Sequence, residues 1–266
     1  MKKIKRLLFL FLLLSSAVNA WQFDSVRDIP GSASAILVLD PDFYGRTELA
    51  ELKKMGAKPI AWLNIGEIEE WRTVAADFKL KNYAFQKRKS SNGLKLAVFY
   101  SDEFGQIAEE RVREYLMKGF SGILFANVDF YSQVSNSPIN RSEMWRLIEH
   151  LAGKARSLNL NSCNLILDGN VYIREVADSK VIDGVVITGL FNGEKGRHVH
   201  EWERQARLKQ LGPLFSRKKS VFTVEMANKA HRIDFIEREC KKLGIDYCIE
   251  NLPLQMKRRL NNGLKK

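Results

Sequence analysis

The sequence predicts an α/β fold built as a single (β/α)8 barrel, and three observations carry that expectation. Short aliphatic runs alternate with amphipathic stretches along the chain, and the apolar period switches between strand and helix at each step. The runs are nearly continuous in Val, Ile, Leu and Phe, which suits parallel strands covered by helices on the outside. Eight such units in about 246 residues, once a leader is set aside, match the roughly 250 residues of one eight-stranded barrel.

The leader comes first. Lys2, Lys3, Lys5 and Arg6 precede an apolar run from Leu7 to Leu14 that closes on Val18-Asn19-Ala20, the pattern of a signal peptide over residues 1–20. That run is shorter than the roughly 18 apolar residues of a membrane span, so no transmembrane segment is expected after cleavage. The remainder, residues 21–266, is expected to be one exported domain, periplasmic or extracellular, and a monomer.

The eight expected strands are Ala35 to Asp40, Pro59 to Asn64, Leu94 to Tyr100, Gly122 to Val128, Asn164 to Asp168, Gly184 to Gly189, Ser220 to Glu225 and Asp246 to Glu250. Between them Thr47 is the expected N-cap of a helix that Gly56 stops. Phe104, Ile107, Ala108, Val112, Tyr115 and Leu116 share one helical face. Asn140 with Glu143 has the spacing of a capping box. Gly212-Pro213 ends a sixth helix, and Ile233, Ile236, Cys240 and Leu243 form the inner face of a seventh that Gly244 closes.

The formal net charge is +12, and about +8 without the leader, which favours anionic partners such as an envelope surface. A solvated basic surface with a cationic tail at Lys257, Arg258, Arg259, Lys265 and Lys266 is the plainer alternative. No specific nucleic-acid partner is expected, and no glycine-rich loop resembles a phosphate cradle, since Gly189 and Gly193 are too isolated. Cys163, Cys240 and Cys248 are an odd number, which argues against a disulfide framework. Buried thiols are expected, with a Cys240–Cys248 pair left open.

Barrel active sites sit at the C-terminal ends of the strands. There the sequence places Asp40 with Asp42, Asn64 with Glu67, Asp129, Asp168, and Glu225 with Glu250. Aliphatic strands do not need these groups, and several converging on one mouth point to a polar ligand site. Trp62, Trp71, Tyr100, Phe130, Tyr131 and Phe191 add aromatic faces near the same ends, suited either to sugar stacking or to core packing. His198-Val199-His200 with Glu203 has no evident further ligand, so capping or exposure is expected there, with no metal and no cofactor.

The segment Ala61-Trp62-Leu63-Asn64-Ile65-Gly66-Glu67-Ile68-Glu69-Glu70-Trp71-Arg72 resembles the second-strand signature of glycoside hydrolase family 114, which contains endo-α-1,4-polygalactosaminidases. Val38-Leu39-Asp40, the run from Gly119 to Asp129 and the run from Ile182 to Phe191 resemble its first, fourth and sixth strands. The resemblance implies two catalytic carboxylates, an Asp ending the fourth strand and a Glu ending the sixth. In this chain Phe125 and Ala126 replace the usual Leu-Asp pair, and Thr188 stands where the Glu falls. Asp129 keeps the second acid of the fourth-strand pattern.

Glycoside hydrolysis needs one carboxylate to stabilise or trap an oxocarbenium-like centre and another to protonate the leaving oxygen. Ala offers neither, and Thr is no acid near neutral pH. The expectation is therefore a protein that acts on or binds amino-sugar polysaccharide of the galactosamine or N-acetylgalactosamine type, with catalysis weakened or lost. Asp129 and Glu67 are the candidate catalytic residues if carboxylates have been relocated. Either one is equally suited to holding a turn or loop. Candidate substrate-binding residues are Asp40, Asn64, Trp62, Arg72, Tyr131, Asp168, Glu225 and Glu250. Three readings follow: a glycan binder that has lost its acids, an active glycosidase with relocated acids, and a non-enzymatic basic module that holds anionic envelope polymers. A deacetylated galactosamine polymer is itself cationic, so a basic protein repels it at long range unless the cleft is locally acidic.

Overall fold

The computed structural model describes residues 36–69, 86–87, 94–96, 101–133, 137–167, 169–193, 196–227 and 229–250. Strands β1 (Ile36–Leu39), β2 (Lys58–Asn64), β3 (Glu67–Glu69), β4 (Gln86–Lys87), β5 (Leu94–Leu96), β6 (Gly122–Ala126), β7 (Cys163–Leu167), β8 (Gly184–Thr188), β9 (Ser220–Met226) and β10 (Asp246–Glu250) alternate with helices. These are α1 (Arg46–Lys54), α2 (Asp102–Lys118), α3 (Ser137–Leu158), α4 (Ile173–Asp178), α5 (Glu201–Gln210), α6 (Gly212–Ser216) and α7 (Ala230–Leu243).

The described strands form a seven-stranded parallel sheet in the order β1-β2-β6-β7-β8-β9-β10. This corrects the eight-stranded expectation at its third strand. Leu94–Leu96 instead pairs antiparallel with Glu67–Glu69 and with Gln86–Lys87 in a separate small sheet. Its Leu-Lys-Leu alternation marks a strand with two unlike faces, whereas strands such as Ile36–Leu39 and Gly122–Ala126 are apolar on both faces. Residues 97–100, the rest of that expected strand, lie outside the described residues.

The sheet is curled. In a flat sheet at about 4.8 Å per strand, β1 and β10 would stand nearly 30 Å apart. Here Ile36 and Val38 of β1 line the same cavity of about 30 Å³ as Leu165, Val186, Phe222, Val224 and Cys248 from β7 to β10. Strand alternation sorts the two faces. Leu124 and Ala126 of β6 join Val38, Ile60, Leu165, Val186, Val224 and Cys248 in the interior of the curl, while Ile123 and Phe125 face the helices in the larger outer core.

Helix boundaries follow the apolar periodicity with two corrections. The N-cap of α1 is Gly45, whose N–H donates to Glu48 at 3.0 Å, so the acid at the third helical position draws the start ahead of the expected cap at Thr47. Helix α3 begins at Ser137, which puts Asn140 inside it. The α2 face buries Phe104, Ile107, Ala108, Val112 and Tyr115 as expected. Ile236 and Cys240 are the buried positions of α7, and Gly244 closes it with a φ of 65°. Cys163, Cys240 and Cys248 are all free and buried.

A polar lock ties the N-terminal ends of β7, β8 and β9 together. Asp183 accepts the backbone N–H of Asn164 at 2.7 Å and pairs with Arg156. The Asn164 amide donates to Ala152 and Val181 carbonyls. The Lys219 ammonium donates to the Ser179 and Ile182 carbonyls, each at 2.6 Å. No described helix is long and apolar enough to cross a membrane.

Candidate active site

Strand register brings the expected site positions to one rim. Asn64 ends β2 directly beside Ala126 at the end of β6. Val186 lies in the interior of the curl while Val185 and Ile187 lie in the outer core, so alternation turns Thr188 inward as well. Ala126 and Thr188 are separated by β7, about 10 Å across two strand spacings. Ala126 is fully buried among the interior aliphatics, and Thr188 is half-buried. Trp62, half-exposed, packs on the same interior cluster one step below Asn64.

The backbone at this rim is drawn tight. Asn127, immediately after Ala126, has a φ of 57°, a left-handed conformation that Asn tolerates better than most residues. The Ile65 N–H donates to the Ala126 carbonyl at 3.2 Å. A Cβ on Gly66 would stand 2.0 Å from the Asn127 carbonyl oxygen, so only glycine lets the two loops approach this closely. The Asn64 side chain accepts the Gly66 N–H at 3.2 Å and holds that turn. Asn127 and Gly66 escape a reading based on carboxylates and aromatics. Their signal is a glycine and an asparagine immediately past strand ends.

The remaining expected residues separate into those at the mouth and those beneath it. Asp40 is buried and accepts the Asp42 N–H at 3.1 Å, capping the turn at Pro41–Phe43. Asp129 is exposed, and its carbonyl accepts the Ser132 N–H in the turn at Phe130–Gln133. Tyr131 lies beneath the mouth. It is buried with its ring 5.9 Å from Tyr172, which in turn stacks 5.4 Å from Trp145 and lies under the Arg141 guanidinium. Its ring therefore supports the loop after β6 in place of offering a face to a sugar. Phe191 is likewise fully buried. Glu67 pairs with Leu96 in β3 and Glu250 with Met226 in β10. Trp71, Arg72, Tyr100 and Asp168 lie outside the described residues.

Glu225 also lies beneath the mouth, which corrects its expected place as a rim acid. Its neighbour Val224 faces the interior and Val221 the outer core, so alternation turns Glu225 outward, where it has no exposure at all. Its carboxylate accepts the N–H groups of Phe191 at 3.1 Å and Asn192 at 2.7 Å and the Thr223 hydroxyl at 2.5 Å. Burial raises its proton affinity against these hydrogen bonds, which pull the other way. Glu225 thus anchors the loop that leaves β8 just after Thr188. Gly189 helps, donating its N–H to the Val224 carbonyl at 2.8 Å. Among the described residues no three His, Cys, Asp or Glu side chains gather to hold a metal ion. His200 is the N-cap of α5 but makes no side-chain cap.

A parallel sheet curled around an apolar interior, with polar groups gathered at the C-terminal strand ends, places the protein among TIM-like α/β folds. The chain belongs to glycoside-hydrolase family GH114, whose model matches residues 15–262. Solved structures with this fold include the glycoside hydrolase domain of PelA from Pseudomonas aeruginosa, at 15% identity and a TM-score of 0.65 over 80% of this chain and 86% of that one. Ega3 from Aspergillus fumigatus, solved in complex with galactosamine, aligns at 18% identity and a TM-score of 0.65 over 85% of this chain and 86% of its own. A search of curated proteins finds no match.

Proposed function

We propose that the chain is an exported, glycan-binding member of its family whose hydrolytic activity is weakened or lost. Its ligand on this reading is an amino-sugar polysaccharide of the galactosamine or N-acetylgalactosamine type. The observation that carries the reading is the pair Ala126 and Thr188. They turn toward the interior at the ends of β6 and β8, the positions where the family resemblance puts its catalytic Asp and Glu. Neither can donate a proton to a leaving oxygen or stabilise an oxocarbenium-like centre. Ala126 itself is fully buried in an apolar cluster with Val38, Ile60, Leu124 and Leu165. Export is supported by the charged and apolar leader at residues 1–20.

Binding has more to work with. Trp62 offers a half-exposed ring on the floor and Asn64 an amide beside it, a combination suited to a sugar's apolar face and hydroxyl edge. The exposed carboxylate of Asp129 favours a second reading, an active glycosidase with relocated acids. One experiment separates the two. Titration of the purified protein with galactosamine and N-acetylgalactosamine oligomers is expected to show saturable binding without new reducing ends. Absence of binding to every amino-sugar oligomer contradicts the glycan reading. Cleavage that Asp129→Asn abolishes would establish the second reading instead.

A further inference from the structure

We infer that the loop after β8 carries an oxyanion site, built from His198, Arg204 of α5 and Arg232 of α7, that takes an acidic group borne by a glycan. That a glycan bears the group rests on the binding reading above; the oxyanion site itself does not.

The loop is folded into a defined shape. Asn192 and His198 form an antiparallel bridge. The Val199 N–H donates to Phe191 at 3.0 Å and the Gly193 N–H to Arg197 at 2.7 Å. Within this frame two nitrogens are buried with no partner among the described residues, Nδ1 of His198 and Nε of Arg204. A buried nitrogen left unpaired costs about 1–3 kcal/mol, so each favours an acceptor; Oδ1 of Asn192 in the same loop is buried and unpaired as well. Both side chains pack on one ring. His198 lies 6.0 Å from Phe235, and the Arg204 guanidinium lies 5.1 Å from it. Arg204 is only 5% exposed, so its desolvation is nearly complete.

The electrostatics have the sign an oxyanion requires. The proton affinity of His198 is lowered by burial and then by Arg232, Arg204 and His200, so three basic groups act on this one imidazole. Helix α5 starts here without a side-chain cap, with Glu201 and Glu203 in its first turn. Among the described residues the nearby acids of α5 are each already paired with an arginine. Glu201 pairs with Arg204, Glu203 with Arg207, and Glu239 stands 3.9 Å from Arg238. Asp234 on α7 is exposed, and Arg232 makes no ion pair among the described residues. An oxyanion here accepts from the imidazole and the buried guanidinium edge together, with Arg232 as counter-charge. Because the same loop begins at Thr188, the site flanks the proposed cleft. It also answers the charge mismatch, since a basic protein that repels a cationic polymer attracts an acidic one.

The test is an NMR titration of the histidine rings in the purified full chain at fixed ionic strength, with inorganic phosphate, galacturonate and galactosamine as probes. Saturable binding of phosphate or galacturonate is expected to raise the apparent pKa of His198, since a nearby negative charge favours the imidazolium. Galactosamine is expected to leave it unmoved. Arg232→Gln, at a half-buried position outside the core, is expected to weaken oxyanion binding about tenfold. A response to galacturonate alone assigns a uronate, and one to phosphate alone assigns a phosphorylated sugar. If neither oxyanion moves His198, or if Arg232→Gln binds as well as the parent, the site does not exist. An oxyanion response together with no binding of any amino-sugar oligomer would retain the site and remove the amino-sugar reading.

Discussion

Replacing Glu225 by alanine is expected to lower the stability of the protein by about 3–5 kcal/mol, measured by urea unfolding. Its carboxylate takes the N–H groups of Phe191 and Asn192 and the hydroxyl of Thr223 in a place that water does not reach. Each buried donor left without an acceptor costs about 1–3 kcal/mol. The change also opens a void, and the loop that carries Leu190 to Val199 loses its anchor. Glu225→Gln keeps the volume and is expected to cost less. The pH dependence has a definite sign. Burial raises the folded-state proton affinity of Glu225, so its contribution is fully present below the ordinary glutamate range and is lost as pH rises through the folded-state value. The stability gap between the parent and Glu225→Gln is therefore expected to be widest in mild acid and to narrow toward alkaline pH. A gap for Glu225→Ala below about 1 kcal/mol, within the range of an ordinary surface change, would mean that the loop is held by something else.

Gly66→Ala is expected to be nearly as damaging, at about 3 kcal/mol. The added methyl would stand 2.0 Å from the Asn127 carbonyl oxygen and 2.9 Å from the Phe130 side chain. Backbone cannot swing aside as a flexible side chain does, so the ends of β2 and β6 must part. Parting them breaks the Ile65 to Ala126 hydrogen bond and displaces Asn64 and Trp62 from their places. The variant should accordingly lose amino-sugar binding along with stability. A Gly66→Ala protein with parental unfolding midpoint and parental binding would show that the close approach of these loops has no role in the cleft.

Much of the fold was legible in the sequence because parallel strands covered on both faces leave a plain signature. Gly122-Ile123-Leu124-Phe125-Ala126 is apolar throughout and Cys163 to Leu167 is apolar but for Asn164, and the helices between them announce their buried face at i, i+3 and i+4. Leu94 to Tyr100 misled for a physical reason. Its aliphatic content matched a sheet strand, but Lys95 between two leucines gives the alternation of a two-faced strand, and it pairs in the small antiparallel sheet. The site was legible in part. Register makes Asn64 and Ala126 neighbours, which the expected strand order, with Leu94 to Tyr100 between them, did not anticipate. What the sequence could not convey is which face of its strand a terminal acid takes. Glu225 sits at the end of a strand like any rim acid, yet the alternation set by Val224 turns it outward, beneath the loop it supports. Tyr131 failed as a rim aromatic in the same way, because its partner Tyr172 is about 40 residues distant in sequence and joins it only through tertiary packing.

The central claim is that the cleft has kept its binding surface and lost only its acids. The most direct test compares the parent with an Ala126→Asp, Thr188→Glu double variant for hydrolysis of galactosamine and N-acetylgalactosamine polymers, with folding of both checked by circular dichroism. The account predicts that the parent releases no new reducing ends and that the folded double variant does, because the two carboxylates return to the positions where the family resemblance places them. Hydrolysis by the unmodified protein would contradict it and direct attention to Asp129 and Glu67.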